Sequence, residues 1–326
     1  MSDWRYRFAE HRGTLLAALV FVAMFGVYVG NHSAGFSANV VQTAANKGVL
    51  LALLAIAQTF VVLTSGIDLS VGAMFILANC LASWIVVGSP AMTALGVAGV
   101  LLTGLVCGGV NGAVVIFGRL QPIVATIASG AIYFGIALAL RPNPGGDVNS
   151  DLADALTGQL WGGIPASLVV LLAVVLAIWL PFRRSALGRA VYAVGSSEVA
   201  AYMSGVETRR AKFAAYTLSG LFAAMGGLML AFFTYSGEAS SANAATYTLN
   251  SIAAVVLGGV SLFGGTGSAV GAIFGALIFR TINDLLFVFD LDPLWQPLFL
   301  GMVLLISVCI GSVRLLRVRN RLDLFG

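Results

Sequence analysis

Charge is what this 326-residue chain has least of. Asp, Glu, Lys and Arg make up 9% of it, against roughly 25% in a soluble domain. That shortage excludes an ordinary water-soluble fold. Histidine is almost missing, with only His11 and His32, and the three cysteines (Cys80, Cys107, Cys309) are scattered through apolar runs. Such a set offers neither a disulfide frame nor metal-ligand spacing, so the cysteines read as small packing residues and no metal or cofactor is expected on this chain. There is no Ser/His/Asp set and no pair of carboxylates within an apolar run, which disfavours a membrane-embedded enzyme. The net charge of +4 would suggest nucleic acid in a soluble protein. Here the basic residues fall at the ends of apolar runs, and no nucleic-acid partner is expected.

What the chain has instead is hydrophobic residue, 59% of the total, in runs near the ~20 residues that span a bilayer. The expected fold class is an all-α polytopic membrane protein, a single transmembrane domain over 1–326 embedded in the lipid bilayer. About ten spans are expected: 14–30, 47–65, 71–88, 91–118, 121–140, 164–182, 213–234, 249–263, 267–288 and 294–313. Arg5, Arg7 and Arg12 ahead of the first run resemble a signal peptide, but the run is long for one and nine more follow, so an uncleaved first span is expected. With both termini in the cytoplasm, fourteen of the 17 basic residues lie on cytoplasmic segments. They are Arg5, Arg7, Arg12, Arg119, Arg183, Arg184, Arg189, Arg209, Arg210, Lys212, Arg314, Arg317, Arg319 and Arg321. Lys47 and Arg141 fall outside, and Arg280 lies within a span.

The long outer loop, 141–163, carries Asp147, Asp151 and Asp154 behind an Arg-Pro-Asn-Pro-Gly-Gly opening. Its prolines and glycines forbid a long helix, leaving a solvated acidic loop or a docking surface. The long inner loop, 183–212, contains Gly195–Val206, which reads as a short helix. Ser196 or Ser197 can cap its start, Glu198 suits the positive end of its dipole, and Gly205 suits the position after its end. About two turns cannot stand alone, so this helix needs a surface to lie on.

The stretch Leu63-Thr64-Ser65-Gly66-Ile67-Asp68-Leu69-Ser70-Val71-Gly72 interrupts two apolar runs. Asp68 is the only charge between Lys47 and Arg119. Asp68 or Ser70 can cap the helix restarting at Val71, or the break can line a passage for a polar solute; the two roles are compatible. Neutral polar residues gather around it: Gln58, Thr59 and Thr64 before, Asn79 and Trp84 after, Asn111, Thr126 and Tyr133 in the next two spans, and Asn250 and Ser251 opening the eighth. Amides and hydroxyls with so little net charge suit a neutral hydrophilic solute better than an ion. Arg280 and Asp284, four residues apart on one helix, can neutralise each other as a structural ion pair, with a transport role the other possibility. The stripes Gly104/Gly108/Gly112 and Gly267/Gly271/Gly275 suit close helix packing. The Gly-rich stretch 258–268 lacks the lysine and the spacing of a phosphate loop. Val71-Gly72-Ala73-Met74-Phe75 is echoed by Val270-Gly271-Ala272-Ile273-Phe274, hinting that the two breaks have related roles.

At Ser65–Gly72 the chain resembles the ribose-type permease family of bacterial ABC importers, whose hallmark is GGIDLSVG. The likeness covers essentially the whole chain. It continues through Gly109-Val110-Asn111-Gly112, Pro122–Thr126, Ala193-Val194-Gly195 with Ala200-Ala201 and Ser204-Gly205-Val206, and Ile252–Gly265. The resemblance implies a transmembrane subunit of the bacterial inner membrane, working as a pair with an identical or paralogous permease. A cytoplasmic ATPase that binds ATP and Mg would drive it, and a periplasmic sugar-binding protein would feed it. The short helix would then be the coupling helix on the ATPase, with Gly195, Ser197, Glu198, Ala200, Ala201, Ser204 and Gly205 as its residues. The implied solute is a neutral monosaccharide: a pentose, hexose or furanose. Two departures stand out. Thr248-Leu249-Asn250 replaces an acidic Glu-Leu-Asp, and Phe134-Gly135 replaces Arg-Gly. A self-powered secondary transporter or channel using Asp68 or the Arg280/Asp284 pair is the alternative expectation.

Overall fold

The computed structural model describes residues 3–239 and 244–295, with a few positions between 298 and 305. In chain order the helices are α1 (Asp3–Asn31), α2 (Ala38–Val62), α3 (Val71–Ile85), α4 (Pro90–Ile116), α5 (Pro122–Leu140) and α6 (Ser150–Thr157). After a two-stranded hairpin, β1 (Gln159–Leu160) and β2 (Ile164–Pro165), come α7 (Ala166–Val174) and α8 (Leu180–Arg184). Then follow α9 (Ala186–Ser196), α10 (Glu198–Met203), α11 (Thr208–Thr234), α12 (Ala244–Leu257) and α13 (Ala269–Val288).

Among the described residues, seven helical stretches are long and apolar enough to cross a membrane, and two shorter apolar helices, α3 and α12, overlap the expected third and eighth spans. The 15 residues of α3 reach about 22 Å at 1.5 Å each, short of a ~30 Å hydrocarbon core. It can be short because the irregular chain before it is buried in protein rather than lipid. The tenth expected span falls mostly outside the described residues, and Arg314, Arg317, Arg319, Arg321 and Cys309 lie wholly outside them.

The core is built around α2. From Val49 to Val62 every residue is buried, polar Gln58 and Thr59 included. A helix that is apolar all round belongs at the centre of a bundle. It is packed by α11, α13, α12 and α3, while α4 and α5 lie further out beside α11 and α3. Leu95, Leu102, Val106 and Val110 make an exposed apolar stripe along α4. The Gly104/Gly108 stripe meets α11 backbone to backbone: a Cβ at Gly108 would lie 2.3 Å from the Tyr216 carbonyl. The Gly271/Gly275 stripe meets α12 in the same way, at Gly258 and Ala254.

Several helices depart from the expected boundaries, α1, α11 and α12 by starting five to eleven residues early, and three local results bear on packing. α2 begins nine residues earlier than expected, capped by Ser37, whose Oγ accepts the Val40 N–H at 3.3 Å. Lys47 does not end the helix because a lysine stem tolerates a half-buried helical site. In the outer loop, Asn149 caps the eight-residue α6 by accepting the Leu152 N–H at 2.9 Å. The Thr157 carbonyl ending α6 accepts from Gln42 at 2.7 Å and Asn46 at 2.8 Å, which ties the loop to α2. Finally, the expected span 164–182 is a continuous Ala166–Arg184 helix with a π-helical stretch at Val175–Trp179. Pro181 has no N–H to give and its ring crowds the carbonyl of Ala177, so the helix widens just before it. Trp179 and Phe182, on either side of that proline, pack their rings 5.3 and 5.0 Å from Phe60 of α2.

Candidate functional site

The break between α2 and α3 is the most heavily cross-braced part of the molecule. α2 closes in a turn: Thr64 and Ser65 donate to the Val61 and Val62 carbonyls at 2.9 Å, and Gly66 donates to Val61 at 3.2 Å. The chain then runs through Ile67 into Asp68, which is wholly buried. Oδ1 of Asp68 accepts both the Ser70 N–H, at 2.9 Å, and the Ser70 hydroxyl, at 2.6 Å. A carboxylate bonded two residues ahead forms an Asx turn. Ser70 occupies the N-cap position of α3, but its side chain makes no cap bond: its Oγ donates to Asp68 and accepts from Asn111 instead. Oδ2 of Asp68 faces the Ser219 hydroxyl of α11 at 3.5 Å. Among the described residues no cationic side chain pairs with this carboxylate; its partners are hydroxyl and amide groups.

Each neighbouring helix contributes a polar group, and α5 contributes two. With its amide oriented to match its neighbours, Gln58 of α2 donates to the Asp68 carbonyl at 3.0 Å and accepts the Asp68 N–H at 3.3 Å. Asn111 of α4 donates to Ser70 Oγ at 2.7 Å, and its Oδ1 accepts from Tyr133 of α5 at 3.1 Å. The Tyr133 hydroxyl also lies 3.0 Å from the Cys107 carbonyl. Thr126 of α5 accepts the Leu69 N–H at 2.9 Å while donating to Pro122 at 2.8 Å. Thr248 of α12 accepts the Gly72 N–H at 3.0 Å. Five helices thus satisfy the donors and acceptors of a buried irregular segment, each of which would cost about 1–3 kcal/mol if left without a partner.

Of the residues singled out from sequence, Gln58, Asp68, Ser70, Asn111, Thr126 and Tyr133 come together here. Thr59 and Thr64 bond within α2, to the Ala55 and Val61 carbonyls at 2.6 and 2.8 Å. Asn79 lies further along α3, donating to Ser236 at 3.2 Å and accepting the Glu238 N–H at 3.0 Å. Asn250 is half-buried on α12 and takes no part in these bonds. Sequence reasoning missed Ser219, one hydroxyl among many small residues on α11, and noted Thr248 only as a departure. The hydroxyl of Thr248 is what holds the start of α3.

Arg280 and Asp284 are bonded at 2.8 Å. They border a cavity of about 410 Å³ between α1, α2 and α13 that also reaches Tyr28, Lys47 and Asn283.

The short helix of the 183–212 segment is α10, and the structure adds α9 ahead of it. Ser185 caps α9 by accepting the Gly188 N–H at 3.0 Å, and Ser197 caps α10 by accepting the Ala200 N–H at 3.3 Å. At the other end of α10, Gly205 has φ +79°. There the Gly205 and Val206 N–H groups close on the Tyr202 and Ala201 carbonyls at 3.0 Å. That is the Schellman arrangement, which favours glycine. Glu198 pairs with Lys212 at 2.6 Å, tying α10 to the start of α11. Ala201 faces inward, while Val199, Tyr202 and Met203 are 68%, 72% and 82% exposed. Gly195, in the last turn of α9, touches the break directly: a Cβ there would lie 1.9 Å from the Leu63 carbonyl and 2.4 Å from the Gly265 nitrogen.

No solved structure matches the chain. Among characterised proteins, it is 32% identical over 307 residues to the ribose import permease protein of Escherichia coli (strain K12), covering 92% of each chain. It is 33% identical over 306 residues to the fructose import permease protein of Rhizobium meliloti, covering 91% of this chain and 84% of the relative. A probable ABC transporter permease protein of Sinorhizobium fredii is 36% identical over 284 residues, covering 85% of this chain and 81% of the relative. A multi-pass helical membrane protein with these relatives is a transport component rather than an enzyme. The family model for the permease component of branched-chain amino acid transport systems matches residues 40–308, and this chain belongs to that permease family.

Proposed function

We propose that this chain is the transmembrane subunit of an ATP-driven importer that carries a neutral monosaccharide across the bacterial inner membrane by alternating access. It forms one permease domain over 1–326, with both termini and the 183–212 segment in the cytoplasm and the 141–163 segment in the periplasm. Its partners are a second permease subunit, identical or paralogous, a cytoplasmic ATPase holding ATP and Mg, and a periplasmic sugar-binding protein. The solute is a pentose, hexose or furanose, in keeping with the ribose and fructose import permeases among its relatives.

The observation that carries this reading is the placement of α10. A six-residue helix capped at both ends turns Val199, Tyr202 and Met203 outward while its entry at Gly195 lies against the break that holds Asp68. An apolar exposed face on a helix too short to stand alone needs a partner, and the ATPase supplies it. The buried polar residues of the break hold its shape, and the solute passes through a cavity shared with the second subunit. Co-expression with an ATPase and a binding protein tests this: purification should recover a complex containing two permease and two ATPase subunits. Recovery of the permease alone after ATPase co-expression contradicts it.

A further inference from the structure

Ser65 stands out among the residues of the break. It is not glycine, yet its φ is +63°, a left-handed conformation that costs an L-residue energy unless its surroundings hold it there. Its hydroxyl lies 3.0 Å from the Gly195 carbonyl and 2.8 Å from the Phe263 carbonyl. These acceptors belong to two different segments. Gly195 lies in the last turn of α9, three residues before α10 begins, and Phe263 lies in the Gly-rich connection from α12 to α13. One hydroxyl carries one proton, so the two carbonyls compete for it. A separate backbone bond holds the same junction, from the Gly265 N–H to the Leu63 carbonyl at 3.1 Å. The backbones are in direct contact here: a Cβ at Gly264 would lie 2.8 Å from the Ser65 nitrogen and 2.9 Å from the Gly195 carbonyl oxygen.

The two Gly-rich breaks and the entry to α10 therefore meet at one residue, three positions before Asp68. We infer that Ser65 is a positioning residue that latches the α9–α10 segment to both breaks and passes displacement of α10 to residues 66–70. If α10 withdraws, Gly195 loses its donor, but the hydroxyl keeps Phe263, so no buried donor is orphaned. The bond from Gly265 to Leu63 keeps the two breaks together through the movement. The latch is separable from the fold because it rests on one side chain at the molecule's edge, where Ser65 itself is exposed.

This inference rests on α10 being the coupling helix, and the test separates the two. The complex with its ATPase is placed in nanodiscs, and amide hydrogen exchange is followed with and without ATP–Mg. The wild type is compared with Ser65→Gly, which relieves the backbone strain, and Ser65→Ala, which keeps it. In the wild type, ATP should change exchange at least threefold in both 197–206 and 66–70. In both variants the change at 197–206 should persist while that at 66–70 falls below half its wild-type size, with melting temperatures showing that both variants fold. Equal responses at 66–70 in wild type and variants overturn the latch, as does loss of the response in Ser65→Ala but not in Ser65→Gly. A wild type in which ATP leaves 197–206 unchanged overturns the coupling role of α10 itself.

Discussion

Asp68 shows how a buried acidic side chain is held with no cationic partner among the described residues. Its Oδ1 takes two bonds from Ser70 and its Oδ2 faces Ser219, so the side chain acts through its acceptors. Asp68→Asn keeps Oδ1 for Ser70 and offers an amide to the Ser219 hydroxyl, which can accept it. Asp68→Ala leaves the Ser70 N–H and hydroxyl without an acceptor. The expected losses are within about 1 kcal/mol for Asn and about 2–3 kcal/mol for Ala, read as melting shifts of the purified protein in detergent. Equal destabilisation by both would mean that the charge itself holds the break. Normal folding of Asp68→Asn with uptake abolished would place Asp68 on the solute's path. Thr248 offers a parallel case: Thr248→Val keeps the shape but strands the Gly72 N–H, with an expected loss of about 1–3 kcal/mol. An unchanged melting temperature would show that another group takes over that donor.

At the scale of elements, α10 is a helix in which neighbouring positions do opposite work. Ala201 is buried, whereas Met203 is 82% exposed. Met203→Asp should therefore leave melting within a degree or two of the wild type and yet sharply weaken capture of the ATPase in pull-down. A variant that binds the ATPase normally would free α10 from that role. Helices whose ends are marked locally could be read from sequence: Ser89-Pro90 starts α4, Pro122 starts α5, and Ser197 with Gly205 bounds α10. α9 could not. Its 11 residues include two glycines and one charge, and it is held by Ser185 and by its approach to the break rather than by a long apolar face. The break itself could be located from Asp68, Gly66 and Ser70. Its bracing could be read only in part: Gln58, Asn111, Thr126 and Tyr133 stand out as polar residues inside apolar runs, whereas Ser219 and Thr248 reach the break across distances in sequence that no local pattern encodes.

For the molecule as a whole, composition already fixed the class, since a chain that is 59% hydrophobic and 9% charged has no other place than a membrane. The arrangement inside that class came from the structure: α2 at the centre, glycine-mediated crossings around it, and two irregular breaks meeting the 183–212 segment at one end. The central claim is that the chain is a gate without its own energy source, and reconstitution tests it most directly. Proteoliposomes containing this chain alone, under imposed proton and sodium gradients, should accumulate none of a panel of labelled pentoses and hexoses. Those that also hold the ATPase and the binding protein should concentrate at least one of them when supplied with ATP. Gradient-driven accumulation by the chain alone would contradict the claim.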